Sequence, residues 1–228
     1  MPARRISIWL TSCWLILVLS ACQPTAPTLT PPAELRELEG YARLRMTLDD
    51  QTARSRFSFL IEMPGRGRIQ VFDPLNRTLY EIYLEEERAY FVLPERKIYW
   101  QGTGGDIFEK FLGFSLHLGE MTGILSGVWK EGAAGMPPLE NWMLKRDLRG
   151  RVVSGRREDF QFFVVNFFAD GGAPRRINFK SGQSQGRLDL LSIEFNRSVR
   201  AGLLSPAFLK DFSPVAWEEI EKILRDEN

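Results

Sequence analysis

The sequence predicts a mainly β fold with a few helices: a strongly curved antiparallel sheet of about eleven strands, forming an incomplete, half-open barrel with a helical lid. Three observations point there. Apolar residues recur with period two across residues 41–100 and 142–195, and short turns separate the runs, so neighbouring strands are antiparallel. Two runs are apolar on both faces: Phe160-Gln161-Phe162-Phe163-Val164-Val165-Asn166-Phe167-Phe168, and Leu188 to Phe195 with Leu190, Leu191 and Ile193 between. An antiparallel sheet normally wets one face, so such strands need cover on both sides or must bend round an apolar interior. Between the two strand blocks the period changes to that of a helix.

Residues 33–39 have helical spacing, with Leu35 and Leu38 three apart and Gly40 as a stop. Ala42, Leu44, Met46 and Leu48 then alternate with polar neighbours, as do Phe57, Phe59 and Ile61. Strands continue over 66–72, 78–84, 88–93 and 97–100, divided by Asp49-Asp50, Pro64-Gly65, Asp73-Pro74-Leu75-Asn76, residues 85–87 and Pro94-Glu95. Gly102-Thr103-Gly104-Gly105 breaks the meander and reads as a hinge before a lid helix. Asp106 is placed to N-cap that helix, which carries Ile107, Phe108, Phe111 and Leu112. A second helix is expected over 118–129. Strands return at 142–148, 151–156, 160–168, 175–179 and 187–195, and a helix closes the chain over 216–225. No internal repeat is evident.

The N-terminus carries a different message. Arg4 and Arg5 precede an apolar run, residues 6–19, too short for a comfortable membrane span and laid out as a secretory signal peptide. It ends in Leu19-Ser20-Ala21-Cys22, which resembles the lipobox of bacterial lipoproteins. That resemblance implies cleavage after residue 21 and diacylglycerol on the thiol of Cys22. Gln23 stands where an Asp resembles an inner-membrane retention signal, so the outer membrane, facing the periplasm, is the expected destination. Residues 22–32 form the lipidated, Pro/Thr-rich tether, spanning about 3.1 Å per residue when extended, and residues 33–228 form one domain. Loss of residues 1–21 removes Arg4, Arg5 and Cys13, leaving 28 basic residues against 29 acidic ones and a single cysteine. A near-zero balance gives no basis for nucleic-acid binding, and one thiol allows no disulfide and no cysteine metal site.

Two stretches resemble the LolA/LolB-like fold family and, within it, the outer-membrane lipoprotein receptor LolB. The first is Val71-Phe72-Asp73-Pro74-Leu75-Asn76-Arg77-Thr78-Leu79, matching an apolar strand, an Asn-Pro-Leu-Gly-type turn and a second strand. The second is Phe108-Glu109-Lys110-Phe111-Leu112-Gly113-Phe114 with Ile124-Leu125-Ser126-Gly127, matching two helices, the latter ending in glycine. The similarity covers residues 33–195. It implies a half-barrel whose cavity takes lipoprotein acyl chains delivered by a LolA-like periplasmic carrier, for insertion into outer-membrane lipid. It also implies that Leu75 is the membrane-inserting residue. The chain departs from the pattern at Ser115, His117 and Ile124, and its tail beyond residue 196 is longer.

Leu75 also stands out on its own: Pro74 fixes φ, and Asp73 and Asn76 favour a turn, so an apolar side chain sits at a loop tip, either tucked back or offered to a partner. Phe57, Phe59, Ile69 and Phe163 are the candidates for an acyl-chain cavity, although the pattern does not say which face lines it. His117 is the single histidine. It has no second histidine for zinc and no serine triad, and the Gly-rich stretch lacks a P-loop Lys-Ser/Thr. The expected protein is therefore a monomeric, non-enzymatic lipoprotein without cofactor or metal. It acts either as a lipoprotein acceptor or as a non-transporting envelope module that binds protein or senses lipid.

Overall fold

The computed structural model describes residues 29–48, 51–85, 87–130, 141–169, 171–198 and 202–226. Twelve strands form one sheet in the spatial order β12-β6-β5-β4-β3-β2-β1-β11-β10-β9-β8-β7. The sheet curls round an apolar interior without closing, since β12 and β7 are its two unpaired ends. In chain order the strands are β1 (Glu37–Leu48), β2 (Gln51–Glu62), β3 (Arg66–Phe72), β4 (Thr78–Glu85), β5 (Arg88–Leu93) and β6 (Ile98–Gly102), then β7 (Met143–Arg146), β8 (Val152–Arg157), β9 (Phe160–Phe167), β10 (Pro174–Ser181), β11 (Ser184–Phe195) and β12 (Ser213–Pro214). All pairings are antiparallel except β12 on β6. The long strand β11 returns beside β1 and joins the two meanders, Leu44 opposite Leu188.

Strand alternation sets the two faces. Leu38, Ala42 and Met46 of β1, Phe59 and Ile61 of β2, and Leu188 and Leu190 of β11 point into the concave side and are buried. Three glycines are placed opposite phenylalanines that lie over them: Gly40 opposite Phe59, Gly155 opposite Phe162 and Gly186 opposite Phe179. A Cβ on any of them would come within 2.4 Å of the facing ring. The expected helix over 33–39 is therefore absent. Gly40 is a strand residue kept small by the Phe59 ring, and Leu38 belongs to β1.

Helices α1 (Gly104–Leu112) and α2 (Leu118–Ser126) cross the concave face. Thr103, not Asp106, is the N-cap of α1; Asp106 completes a capping box, accepting from the Thr103 N–H at 2.9 Å while the Thr103 hydroxyl accepts from the Asp106 N–H at 3.1 Å. Gly104 and Gly105 are thus the first turn of the helix and not a hinge. Gly113 and Gly127, both left-handed, end the two helices.

The chain beyond residue 196 wraps the β6 edge. A 3₁₀ turn, Pro206–Asp211, lays Leu209 and Phe208 on the convex side against Tyr83, Tyr90 and Val92. β12 then pairs with β6, and α3 (Trp217–Asp226) returns to the concave side, where Ile220 is buried and Trp217 meets Phe91, Trp100 and Phe111 at 5.1–5.7 Å. The strands buried on both faces are consequently β4 and β5. β9, read as two-faced from its composition, buries Phe160 and Phe162 and leaves Phe163 and Val165 exposed on the convex side. The tail folds back over β4 and β5 and leaves β9 uncovered.

Candidate functional site

Between the sheet and the two helices lies an apolar cavity of about 130 Å³. Its wall comes from both halves of the sheet: Leu44, Phe57, Ile69, Val71, Tyr80 and Ile82 on one side, Phe160, Ile177, Phe179 and Leu188 on the other. Helix α1 supplies Ile107, Phe108 and Phe111, and α2 supplies Met121, Ile124 and Leu125. The connection between them adds Phe114, whose ring stands 4.7 Å from that of Phe160 and 5.7 Å from that of Phe179. Only Ser55 and Tyr80 bring polar atoms to the wall. Burial pushes the Tyr80 phenol up to about 12, so it stays neutral. Apart from the Ser55 and Tyr80 hydroxyls the wall is hydrocarbon and aromatic, so this space is suited to holding hydrocarbon. An apolar cavity of about 150 Å³ stays dry and admits a benzene-sized guest, so the cavity as folded takes a stretch of chain and not a whole acyl tail.

One buried ion pair holds the helices to the sheet. Glu120, 1% exposed at the start of α2, accepts from the His117 N–H at 2.9 Å and the Trp142 indole N–H at 3.0 Å, and pairs with Arg157 of β8. Arg157 also donates to the Ser115 carbonyl at 2.9 Å. Two positions read as departures, Ser115 and His117, thus serve a latch through their backbones, and the third, Ile124, lines the cavity.

Phe57 and Ile69 stand together in the cavity wall. Phe59 is buried beside it, 6.2 Å from Phe57, in the cover over Gly40 and not in the lining. Phe163 is outside the cavity: β9 alternation turns Phe160 and Phe162 inward and leaves Phe163 47% exposed on the opposite face. Leu75 is 76% exposed at the β3–β4 turn. The Asp73 carboxylate accepts from the N–H groups of Leu75 at 2.7 Å and Arg77 at 2.9 Å and from the Arg77 guanidinium at 2.7 Å. The Arg77 N–H first, then its guanidinium and the Leu75 N–H, hold the Asp73 carboxyl below its ordinary range against the opposing effect of burial. Asn76 takes the left-handed conformation that closes the turn. The loop is therefore a built presentation of Leu75. Cys22 and the signal segment lie outside the described residues, whereas Leu29 and Pro31, read as tether, lie against the β9–β10 connection at Gly171 and Gly172. Phe111 on α1 and Phe114 in the connection after it went unassigned as lining, because an apolar pattern shows a face but not what it covers.

No family model and no curated protein matches the chain. Solved structures do. A DUF1329 family protein from Desulfovibrio piger superposes with a TM-score of 0.53 at 8% identity, over 78% of this chain and 92% of that one. A LolA superfamily protein from Nitrosomonas europaea gives 0.47 at 11% identity, over 79% and 95%. A domain described as outer membrane lipoprotein-sorting, from Vibrio parahaemolyticus, gives 0.47 at 9%, over 77% and 92%. At these identities the likeness concerns the fold alone.

Proposed function

We propose that this chain is a lipid-anchored envelope protein whose half-open barrel binds acyl chains. In this reading Cys22 carries the anchor in the outer membrane and the domain faces the periplasm. The barrel accepts lipoproteins from a LolA-like carrier, and Leu75 touches the membrane during release. The observation that carries it is the cavity, which gathers apolar side chains from two helices, the connection between them and seven strands. Each buried methylene gains about 0.8 kcal/mol. A long tail would gain several kcal/mol if α1 and the Phe114 connection swing aside to admit it. Leu75 inserted in a bilayer gains about 1.5–3 kcal/mol, enough for a transient contact.

The test is binding of a fluorescent sixteen-carbon fatty acid to the full chain, with mass spectrometry of whatever lipid co-purifies. Leu44→Trp, which fills the cavity, should weaken binding about tenfold or more; unchanged binding would sink the proposal. Leu75→Glu should leave fatty-acid binding intact and impair delivery to vesicles. The small volume of the closed cavity favours a second reading, a non-transporting lipid-sensing module. Normal lipoprotein localisation in Leu75→Glu cells would select it.

A further inference from the structure

The convex face carries a second feature, on the other side of β1 and β2 from the cavity, with Leu44 and Ser55 bordering both. Alternation turns Arg43 and Arg45 of β1, Arg54 and Arg56 of β2 and Arg187 of β11 outward onto one groove of about 500 Å³, where the only carboxylate is Asp189. The register sets like charges directly opposite each other: Arg43 with Arg56, Arg45 with Arg54, and Arg45 with Arg187. Such pairs destabilise a sheet. Asp189, which the register sets opposite Arg43, pairs with Arg187 at 3.0 Å and Arg176 at 2.5 Å and is one negative charge among the five arginines of the groove. Arg56 donates to the Pro74 carbonyl at 2.8 Å, which binds the groove to the loop that presents Leu75. Among the described residues Arg43, Arg45 and Arg54 have no carboxylate partner, and all three are exposed.

A second groove continues from Arg45 and Arg187 across β10, adding Lys180 and ending at Phe163. The basic stripe is thus flanked by exposed apolar side chains at both ends, Leu75 beside Pro74 and Phe163 on β9. A free anion has no use for that flanking. A phosphate-bearing bilayer surface has, because its headgroups take the guanidinium donors while its acyl region takes the apolar tips. We propose that this convex groove docks on the phosphate headgroups of an anionic lipid surface. The inference goes beyond the acyl-chain reading and stands without it.

The test mixes the full chain with vesicles of phosphatidylcholine, alone or with phosphatidylglycerol, and follows arginine modification by phenylglyoxal with mass spectrometry. Modification of Arg43, Arg45, Arg54 and Arg187 should slow about tenfold with the anionic vesicles, while the exposed Arg225 on α3 reacts equally in both. The triple variant Arg43→Gln, Arg45→Gln, Arg54→Gln should lose the slowing at Arg187 and unfold at no lower temperature than the parent, since like-charge repulsion is removed. Equal rates in the two vesicle types overturn the proposal. So does a lowered unfolding temperature with the vesicle response retained, which would make the arginines structural. Slowing by inorganic phosphate in neutral vesicles, or by polyglutamate, as strong as by phosphatidylglycerol would assign the groove to a free anion or an acidic partner and overturn the lipid assignment. Fatty-acid binding reads the cavity and not this groove, so the two proposals fail separately.

Discussion

Glu120 shows how much of the architecture rests on single polar side chains. Its carboxylate, placed at the N-terminus of a helix that is buried on every side, ties α2 to β8 through Arg157 and to the residue before β7 through Trp142. Removing one partner of such a pair leaves a buried charge uncompensated. Glu120→Ala should therefore lower stability by about 3–5 kcal/mol in denaturant unfolding, and a loss below ~1 kcal/mol would mean the latch is dispensable. Asp73 is buried beneath its own exposed loop, and its effect is local. Its carboxyl is held below the ordinary value, so its contribution is complete above the unfolded pKa of about 3.9 and is lost as pH falls through the depressed folded value. Hydrogen exchange at the Leu75 and Arg77 amides, corrected for intrinsic rate, should stay constant from about pH 7 to 5 and rise only below about pH 4. A rise between pH 6 and 5 would contradict this account of the loop.

On the concave face the strands pack through three glycine and phenylalanine pairs. Gly186 faces Phe179 across β10–β11, and an added Cβ would sit 2.4 Å from the ring and 2.6 Å from Met46 Sδ. Gly186→Val should cost about 1–3 kcal/mol by overpacking, read as a lower thermal midpoint; no shift would show that the ring moves freely. One turn design also occurs twice. Asp147 accepts from the N–H groups of Arg149 and Arg151 and from the Arg151 guanidinium, as Asp73 does from Leu75 and Arg77, and Gly150 is left-handed where Asn76 is. Each loop leaves a leucine in solvent, Leu148 being fully exposed. The shared pattern is an Asp, three residues and an Arg, with Asn or Gly before the Arg. Sequence spacing marks only the first as a turn and places Asp147 and Leu148 in a strand over 142–148, whereas the strand ends at Arg146; the equivalence of the two loops lies in hydrogen bonds that spacing does not state.

At the scale of the molecule, the C-terminal segment decides which part of the sheet is dry. It passes from the convex face of β4 and β5 round the β6 edge, and Trp217 packs against Phe91, Trp100 and Phe111, under Lys110 at 4.7 Å. Trp217→Ala should cost about 3 kcal/mol, the low end for an aromatic truncation, and should loosen α1, seen as faster amide exchange over 104–112. If α1 exchange is unchanged, the tail is a cover for the edge and does not brace the lid.

Local pattern alone carried the open antiparallel sheet, the two helices at its mouth and a loop tip at Leu75, but not whether that side chain tucks back or faces solvent. Period-two alternation, short turns and Pro74 between Asp73 and Asn76 are local features with local consequences. It reached Phe57 and Ile69 as cavity candidates but equally named Phe163, because a strand apolar on both faces does not say which face is inside. Pairing between strands distant in the chain settles that. The return of β11 to β1 fixes the concave side, and the fold of the tail fixes which convex strands are covered. Charge followed the same rule. The basic and acidic totals nearly cancel along the chain, yet register gathers Arg43, Arg45, Arg54, Arg56 and Arg187 on one face, since pairing between strands distant in sequence sets local charge density and composition does not.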